Sequence, residues 1–385
     1  MKNLIKGFVL GFLSALIISA VVYGQVVEKN ISAFFENIKI YVDGKIITPK
    51  DVNGKTVEPF ISDGTTYLPI RAVAGALSKE VEWNAGTKSV YIGGVPKDET
   101  DTYSSPQIEG CKIFPEDNFW NTPIDNLPIH PKSEQYINSI GKSKSIHPDF
   151  GTIWEGKPIG IPYNVVSDNQ SMSKVKFEYE DESDPGPYPI PANPLIESGS
   201  DRHLLILRKG SNILYELYNA VQKSDGSWQA GSGAIWNLNK NETRPKGWTS
   251  ADAAGLAIFP GLVKWEEVYK NGEINHALRV TLNKIQKSYI LPASHSGGGY
   301  KDENYPPMGL RLRLKAGFDI SKFDARVQVI LRALKKYGMV VADVGSDMYI
   351  SGCPDSRWND EILSSLNKVN AGNFEAVYTG EAIPY

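Results

Sequence analysis

Cysteine is scarce: the 385 residues contain two, Cys111 and Cys353. That excludes a disulfide-dense scaffold and a cysteine-ligated structural zinc site. An excess of either charge is also missing. A formal net charge of −3 argues against wholesale nucleic-acid binding. Long apolar runs are confined to the first 25 residues, so the chain is not a polytopic membrane protein. Histidine occurs five times, at His130, His147, His203, His276 and His295, and never as His-Glu-x-x-His, which excludes a zincin motif. No Gly-x-Ser-x-Gly elbow, EF-hand spacing or internal repeat is present. What is abundant is Gly (35), Pro (24) and aromatic residues (10%), a mix that favours turns and packed strands over long helices.

Lys2 and Lys6 precede an uncharged stretch whose apolar heart runs over residues 8–22. This is the order of a secretory signal, so residues 1–25 read as a signal peptide or an uncleaved signal anchor. The expected location is extracellular or cell-envelope associated, with this segment as the membrane anchor if it is retained.

Residues 38–42 alternate as a strand, and Asp43-Gly44 turns them into Lys45-Ile46-Ile47. Asp63-Gly64 makes a second such turn, before Thr66-Tyr67-Leu68. Pro69 opens a short helix with Val73, Ala74, Ala76 and Leu77 on its apolar face. Residues 81–83 and 89–92 form two further strands. The pieces Val42-Asp43-Gly44-Lys45, the run from Gly64 to Arg71, and Glu82-Trp83 with Lys88-Ser89-Val90 carry a resemblance. Residues 38–93 resemble the copper amine oxidase N-terminal-like domain of exported bacterial proteins. Ser78 departs from the pattern, which has Gly after the helix. The resemblance implies an envelope-associated stalk without copper ligands, and the segment contains no histidine. Residues 94–110 are polar and lack a period, as a linker does.

Residues 111–385 are expected to form one β-rich domain. Period-2 alternation predicts strands over 159–166, 174–179, 203–208, 213–219, 276–282, 288–291, 308–315, 339–342 and 348–351. Helices are predicted over 133–140, 263–270, 322–337 and 359–366. The third has Ser321 as its N-cap and Gly338 just past its end. Strands dominate without regular interleaving by helices. The fold class is therefore β-rich α+β: a small α+β stalk, then a large β-sandwich or distorted barrel with peripheral helices. This region is similar to regions of exported bacterial proteins, a likeness that implies no activity.

Chemistry is drawn from side-chain types and positions. His203 and His276 each open a strand, where an imidazole suits acid–base work near neutrality. Asp184 ends an acidic run before a proline-rich loop, a setting for paired carboxylates or for Ca²⁺. Glu216 alternates with Leu214 and is expected to face away from the core of its strand. Asp252 lies among small residues beside Trp248, which offers a ring for sugars. The competing reading is a helix start capped by Ser250. His295 sits in a glycine-rich loop that reads as a mobile lid. Arg311 and Arg313 alternate with leucines and would present a cationic row to an acidic glycan. Cys111 and Cys353 flank the domain and suit a disulfide in an oxidising exterior. A cysteine nucleophile at Cys353 lacks a preceding histidine.

Together these residues point to an exported envelope protein that cleaves a carbohydrate polymer, by hydrolysis or elimination. Asp184, His203, Glu216, Asp252, His276 and His295 are its candidate catalytic groups; Arg311, Arg313 and Trp248 are its candidate substrate contacts. No organic cofactor or metal is expected, with Ca²⁺ left open. The partner is a cell-wall or extracellular glycan. The alternative is a non-catalytic surface module that binds glycan or protein.

Overall fold

The computed structural model describes residues 31–51, 54–79, 81–84, 89–92 and 106–385. The N-terminal apolar stretch and most of the expected linker lie outside the described residues. The chain divides into two compact units, Met1–Thr102 and Tyr103–Tyr385. No helix among the described residues is long and apolar enough to cross a membrane.

Among its described residues the smaller unit contains three two-stranded hairpins and helix α1 (Ile70–Ala76). Its first hairpin pairs Ile40–Val42 with Lys45–Ile47, its second Phe60–Ser62 with Thr65–Tyr67. Both turn on Asp-Gly with φ of 48° at Asp and near 75° at Gly. That is the twist a tight hairpin needs. Ser78 sits at φ 56°, a conformation natural to the Gly it replaces in the family pattern.

The two largest sheets of the larger unit have four and six strands; a three-stranded sheet (Val175–Phe177, Val221–Gln222, Trp228–Ala230) and short two-stranded pairs accompany them. The four-stranded sheet has the order β2-β3-β4-β5, with β2 (Tyr163–Ser167) parallel to β3 (Leu204–Lys209). β4 (Ile213–Tyr218) and β5 (Ser232–Asn237) run antiparallel to their neighbours. The six-stranded sheet comprises β1 (His147–Asp149), β6 (Leu278–Leu282), β7 (Arg311–Leu314), β8 (Met339–Val344), β9 (Tyr349–Ser351) and β10 (Phe374–Val377), in the order β10-β7-β8-β6-β9-β1. It is mixed, with β6 parallel to β8 and β9 parallel to β1.

Leu205, Leu207 and Leu214 from the first sheet and Val280, Leu312 and Val341 from the second belong to one core. Leu204, Ile206 and Leu217 face the other way, into a second cluster with Phe177, Tyr188 and Trp228. The four-stranded sheet is thus covered on both faces, which explains the unbroken apolar run over 204–207. Neither sheet closes into a barrel, and the fold class is β-rich α+β.

Helices lie outside the strands. α2 (Ser133–Ile140) buries Tyr136, Ile137 and Ile140; α3 (Ala325–Lys336) buries Val327, Ile330, Leu331 and Leu334. α3 is capped by Asp324, whose carboxylate accepts the Arg326 N–H at 2.9 Å, rather than by Ser321. The Ser321 hydroxyl is engaged one turn earlier, donating to Asp319 at 2.6 Å. Where a helix was predicted over 263–270 the chain forms a π-helix, Glu266–Asn271, and α4 (Asp360–Ser364) continues as a 3-10 turn.

Candidate active site

The six-stranded sheet carries a polar row on one face. Asp149 of β1 stands opposite Ser351 of β9, and Val280 of β6 stands opposite Ile350, which places Arg279 beside Ser351. Between β6 and β8 the register slips. Val280 pairs with Val341, but Thr281 pairs with Asp343, so Ala342 is the extra residue of a β-bulge. Side chains alternate along a strand, so without the bulge Asp343 would point into the core on the Val280 side. The bulge turns it toward Arg279.

Arg279 organises the cluster. Its guanidinium donates to both oxygens of Asp252 at 2.7 and 2.8 Å, to Asp343 at 2.9 Å and to the Ser351 hydroxyl at 2.6 Å. Asp252 is fully buried, while the Asp343 side chain keeps 23% of its surface in solvent. Burial pushes the Asp343 carboxyl up to about 7, with the Asp252 charge adding and Arg279 opposing. Asp149 is open to solvent, yet burial by its surroundings raises its carboxyl too, helped by Glu197 and Asp201.

His203 opens β3 against the same cluster. Its Nδ1 lies 2.5 Å from Glu197 and its Nε2 3.2 Å from the Ala251 carbonyl oxygen, one residue before Asp252. Burial opposes the charged imidazolium, but the Glu197 contact outweighs it and raises the histidine. Burial likewise works to raise Glu197, and the hydrogen bond and charge of His203 hold it below its ordinary value. The cluster thus contains a carboxyl pushed up, Asp343, and one held down, Glu197. That separation is what an acid–base pair requires. A groove of about 600 Å³ is lined by Ile196 and Ser198, on either side of Glu197, and by Tyr163 and Cys353; the cluster's own side chains do not line it.

Of the sequence candidates, His203 and Asp252 meet here. His276 does not: it is buried with Glu267, 3.0 Å from Nε2, in a separate knot where Lys264 donates to the Phe259 and Leu262 carbonyls. Asp184 is engaged by Arg244 at 2.6 Å and accepts the Ile235 N–H at 2.8 Å. Trp248 is not free for a sugar on the face it gives to Arg244, whose guanidinium lies 5.5 Å from its ring and 5.7 Å from that of Trp236.

Glu216 corrects an expectation outright. Residues 214 and 216 share one face of β4, so Glu216 points into the core with Leu214 and has no exposed surface. It accepts N–H groups of Ile258, Phe259 and the Trp236 indole, which anchors the turn after Asp252. No helix starts at Ser250; its hydroxyl donates to the Leu256 carbonyl instead and closes a tight turn.

The cationic row also fails to form. Arg311 and Arg313 are both buried. Arg311 donates to the carbonyls of Phe119, Thr122 and Tyr337, and Arg313 to those of Ile124, Asp125 and Leu127 and to Glu375. Burial without a charged partner lowers Arg311 to about 9. The loop around His295 is packed: Nδ1 lies 2.6 Å from the Ala253 carbonyl oxygen, and a Cβ on Gly298 would meet the Gln286 carbonyl at 2.4 Å. That is no free lid.

Cys111 and Cys353 are buried and unbonded, so the expected disulfide is absent. They occupy different surroundings: Cys111 near Lys209 and Asp168, Cys353 near Lys264 and Glu267. Burial pushes the Cys353 thiol up to about 12, which removes the thiolate a nucleophile needs. Among the described residues no group of three or more His, Cys, Asp or Glu side chains is arranged to hold a metal ion.

Sequence reasoning missed Asp149, Glu197, Arg279 and Asp343. An arginine in an apolar strand and an acid closing the apolar run 339–342 were the available signals, since buried charges are retained only with partners.

Residues 41–102 match the family model of the copper amine oxidase N-terminal domain. The match falls within the smaller unit and includes none of the residues around Arg279. No curated protein and no solved structure matches the chain.

Proposed function

We propose that the larger unit is an acid–base hydrolase of a carbohydrate polymer, carried outside the cytoplasm by the N-terminal signal. The observation that carries the reading is the Asp343 carboxyl: raised to about 7, partly open to solvent, and sharing Arg279 and His203 as charged neighbours with Glu197, a carboxylate of opposite tendency. Asp343 is the proton donor and Glu197, steadied by His203, the base. Asp343 protonates the glycosidic oxygen as the carbon–oxygen bond breaks. Water adds its oxygen to the anomeric carbon and its proton passes to Glu197. Asp149, on the far side of Arg279 in the row, is the further carboxylate that faces the bound sugar. Arg279 is a positioning residue, since it sets Asp343 through a hydrogen bond and is itself buried.

Hydrolysis is favoured over elimination. Elimination next to a sugar carboxylate needs a cation to hold the developing negative charge. The cluster's arginine is already bound by two aspartates, and Arg311 and Arg313 are turned inward. The groove of about 600 Å³ that includes Ile196 and Ser198 lies within the range of small-molecule sites and is the space assigned to the substrate.

The test uses the full chain, a panel of neutral and acidic polysaccharides, and assays for new reducing ends and for unsaturated products. Turnover of a neutral polymer that drops at least a hundredfold in Asp343→Asn, with unchanged melting temperature, supports the reading. No turnover of any polymer, or full turnover by the variant, removes it. In that case binding without cleavage leaves the glycan-binding module.

A further inference from the structure

We infer that a second pocket, built on the other side of the turn that follows Asp252, binds a single uncharged sugar ring. This goes beyond the proposed hydrolysis and does not depend on it. The cavity measures about 130 Å³ and is lined by aromatic and aliphatic side chains together with amide and carboxylate side chains.

The floor is rigid. Trp120 and Trp236 are 3% and 7% exposed, Phe119 packs edge-on against Trp120 at 5.6 Å, and the Trp236 indole N–H is fixed on Glu216. The rim is tied together by hydrogen bonds at the surface. The Asn241 amide donates to Asp117 at 2.8 Å and its oxygen accepts from Asn118 at 2.8 Å. Three planar polar groups from two distant segments are thereby held around one opening before any ligand arrives. Such pre-organisation lowers the ordering cost of binding.

Charge narrows the ligand. Asp117 and Glu242 stand at the rim and no lysine or arginine lines the cavity, which disfavours an anion. A cation is disfavoured for a different reason. The aromatic faces that would attract it already carry internal guanidiniums, Arg311 at 4.8 Å from the Phe119 ring and Arg244 at 5.7 Å from the Trp236 ring. A neutral ligand remains, with an apolar side for Leu256, Ala257 and Pro292 and several hydroxyls for the amides and carboxylates. A pyranose has that build. The volume lies well below the roughly 300–1,000 Å³ of drug-sized sites, so one ring enters rather than a length of chain.

The experiment titrates the full chain with glucose, N-acetylglucosamine and their linear tetramers, read by tryptophan fluorescence and calorimetry. Glucuronate and choline serve as the anionic and cationic probes. Saturable binding of at least one neutral sugar is expected, and Asn241→Ala should weaken it about tenfold, the loss of one or two net hydrogen bonds. Thr243→Val, an exposed rim change that spares the fold, should weaken it about threefold. The inference is overturned if no neutral sugar saturates, if choline or glucuronate binds more tightly, or if neither variant loses affinity. Asp343→Asn separates the two readings. It should leave this binding intact, so lost turnover with retained binding speaks only to the other site.

Discussion

Replacing Arg279 by methionine is the sharpest test of how the polar cluster holds together. The methionine fits much of the volume, but four hydrogen bonds disappear. Asp252 is then left with a fully buried carboxylate and no ion-pair partner in contact. Breaking a buried pair in this way costs about 3–5 kcal/mol, because the remaining charge cannot recover its hydration. Removing both partners is different. Arg279→Met with Asp252→Leu deletes the stranded charge, so the double variant should regain about half or more of the loss. Seven of the eight tryptophans lie in the larger unit, so urea unfolding followed by their fluorescence reports on that unit. A single variant within about 1 kcal/mol of the native chain, or a double variant worse than the sum, would refute the argument.

Glu216→Gln tests the buried acid in the core. The native carboxyl sits near 7 against an ordinary 4.5, so the folded state holds its proton longer than the unfolded one. Stability is therefore full below about 4.5 and declines as pH rises through 7, by about 3 kcal/mol at most. The glutamine variant should lack this decline, yet be less stable at pH 5 by about 1–3 kcal/mol, because its amide N–H groups meet the Trp236 donor. Thermal melts across that range decide; a native slope of the opposite sign rejects it. Both cysteines should resist a thiol reagent in the native chain and react after unfolding, and a reductant should leave the melting temperature unchanged. Turnover, where measured, should fall as pH rises past about 7, where Asp343 loses its proton. A rate that climbs through that range instead assigns the proton donor elsewhere.

The strand pattern was readable because alternation survives in sequence. All nine strands predicted in the larger unit have counterparts, from Leu204–Lys209 to Tyr349–Ser351, with ends displaced by a few residues. The site was only half readable. His203 stands out as a polar residue at the start of a strand, and Asp252 as a lone acid among small residues. Asp343 does not, because its direction depends on the one extra residue at Ala342, and a bulge leaves no mark in alternation. Arg311 and Arg313 misled for a related reason. Their spacing defined one face of a strand, but nothing in the spacing said that the irregular segment 119–127 would cover that face and offer its carbonyls.

Those two arginines also constrain the order in which the chain can assemble. Segment 119–127 has few backbone partners of its own, and five of its carbonyls are held by side chains that lie 186–192 positions later in sequence. During synthesis at about 5–20 residues per second, the segment waits at least ten seconds or so for β7 to be made. Until then its apolar neighbours Ile113, Phe114 and Trp120 have no finished core to enter. The larger unit therefore closes late, from its C-terminal part back onto its beginning. A nascent chain truncated before residue 311 should remain open to protease over 113–127 and available to chaperones.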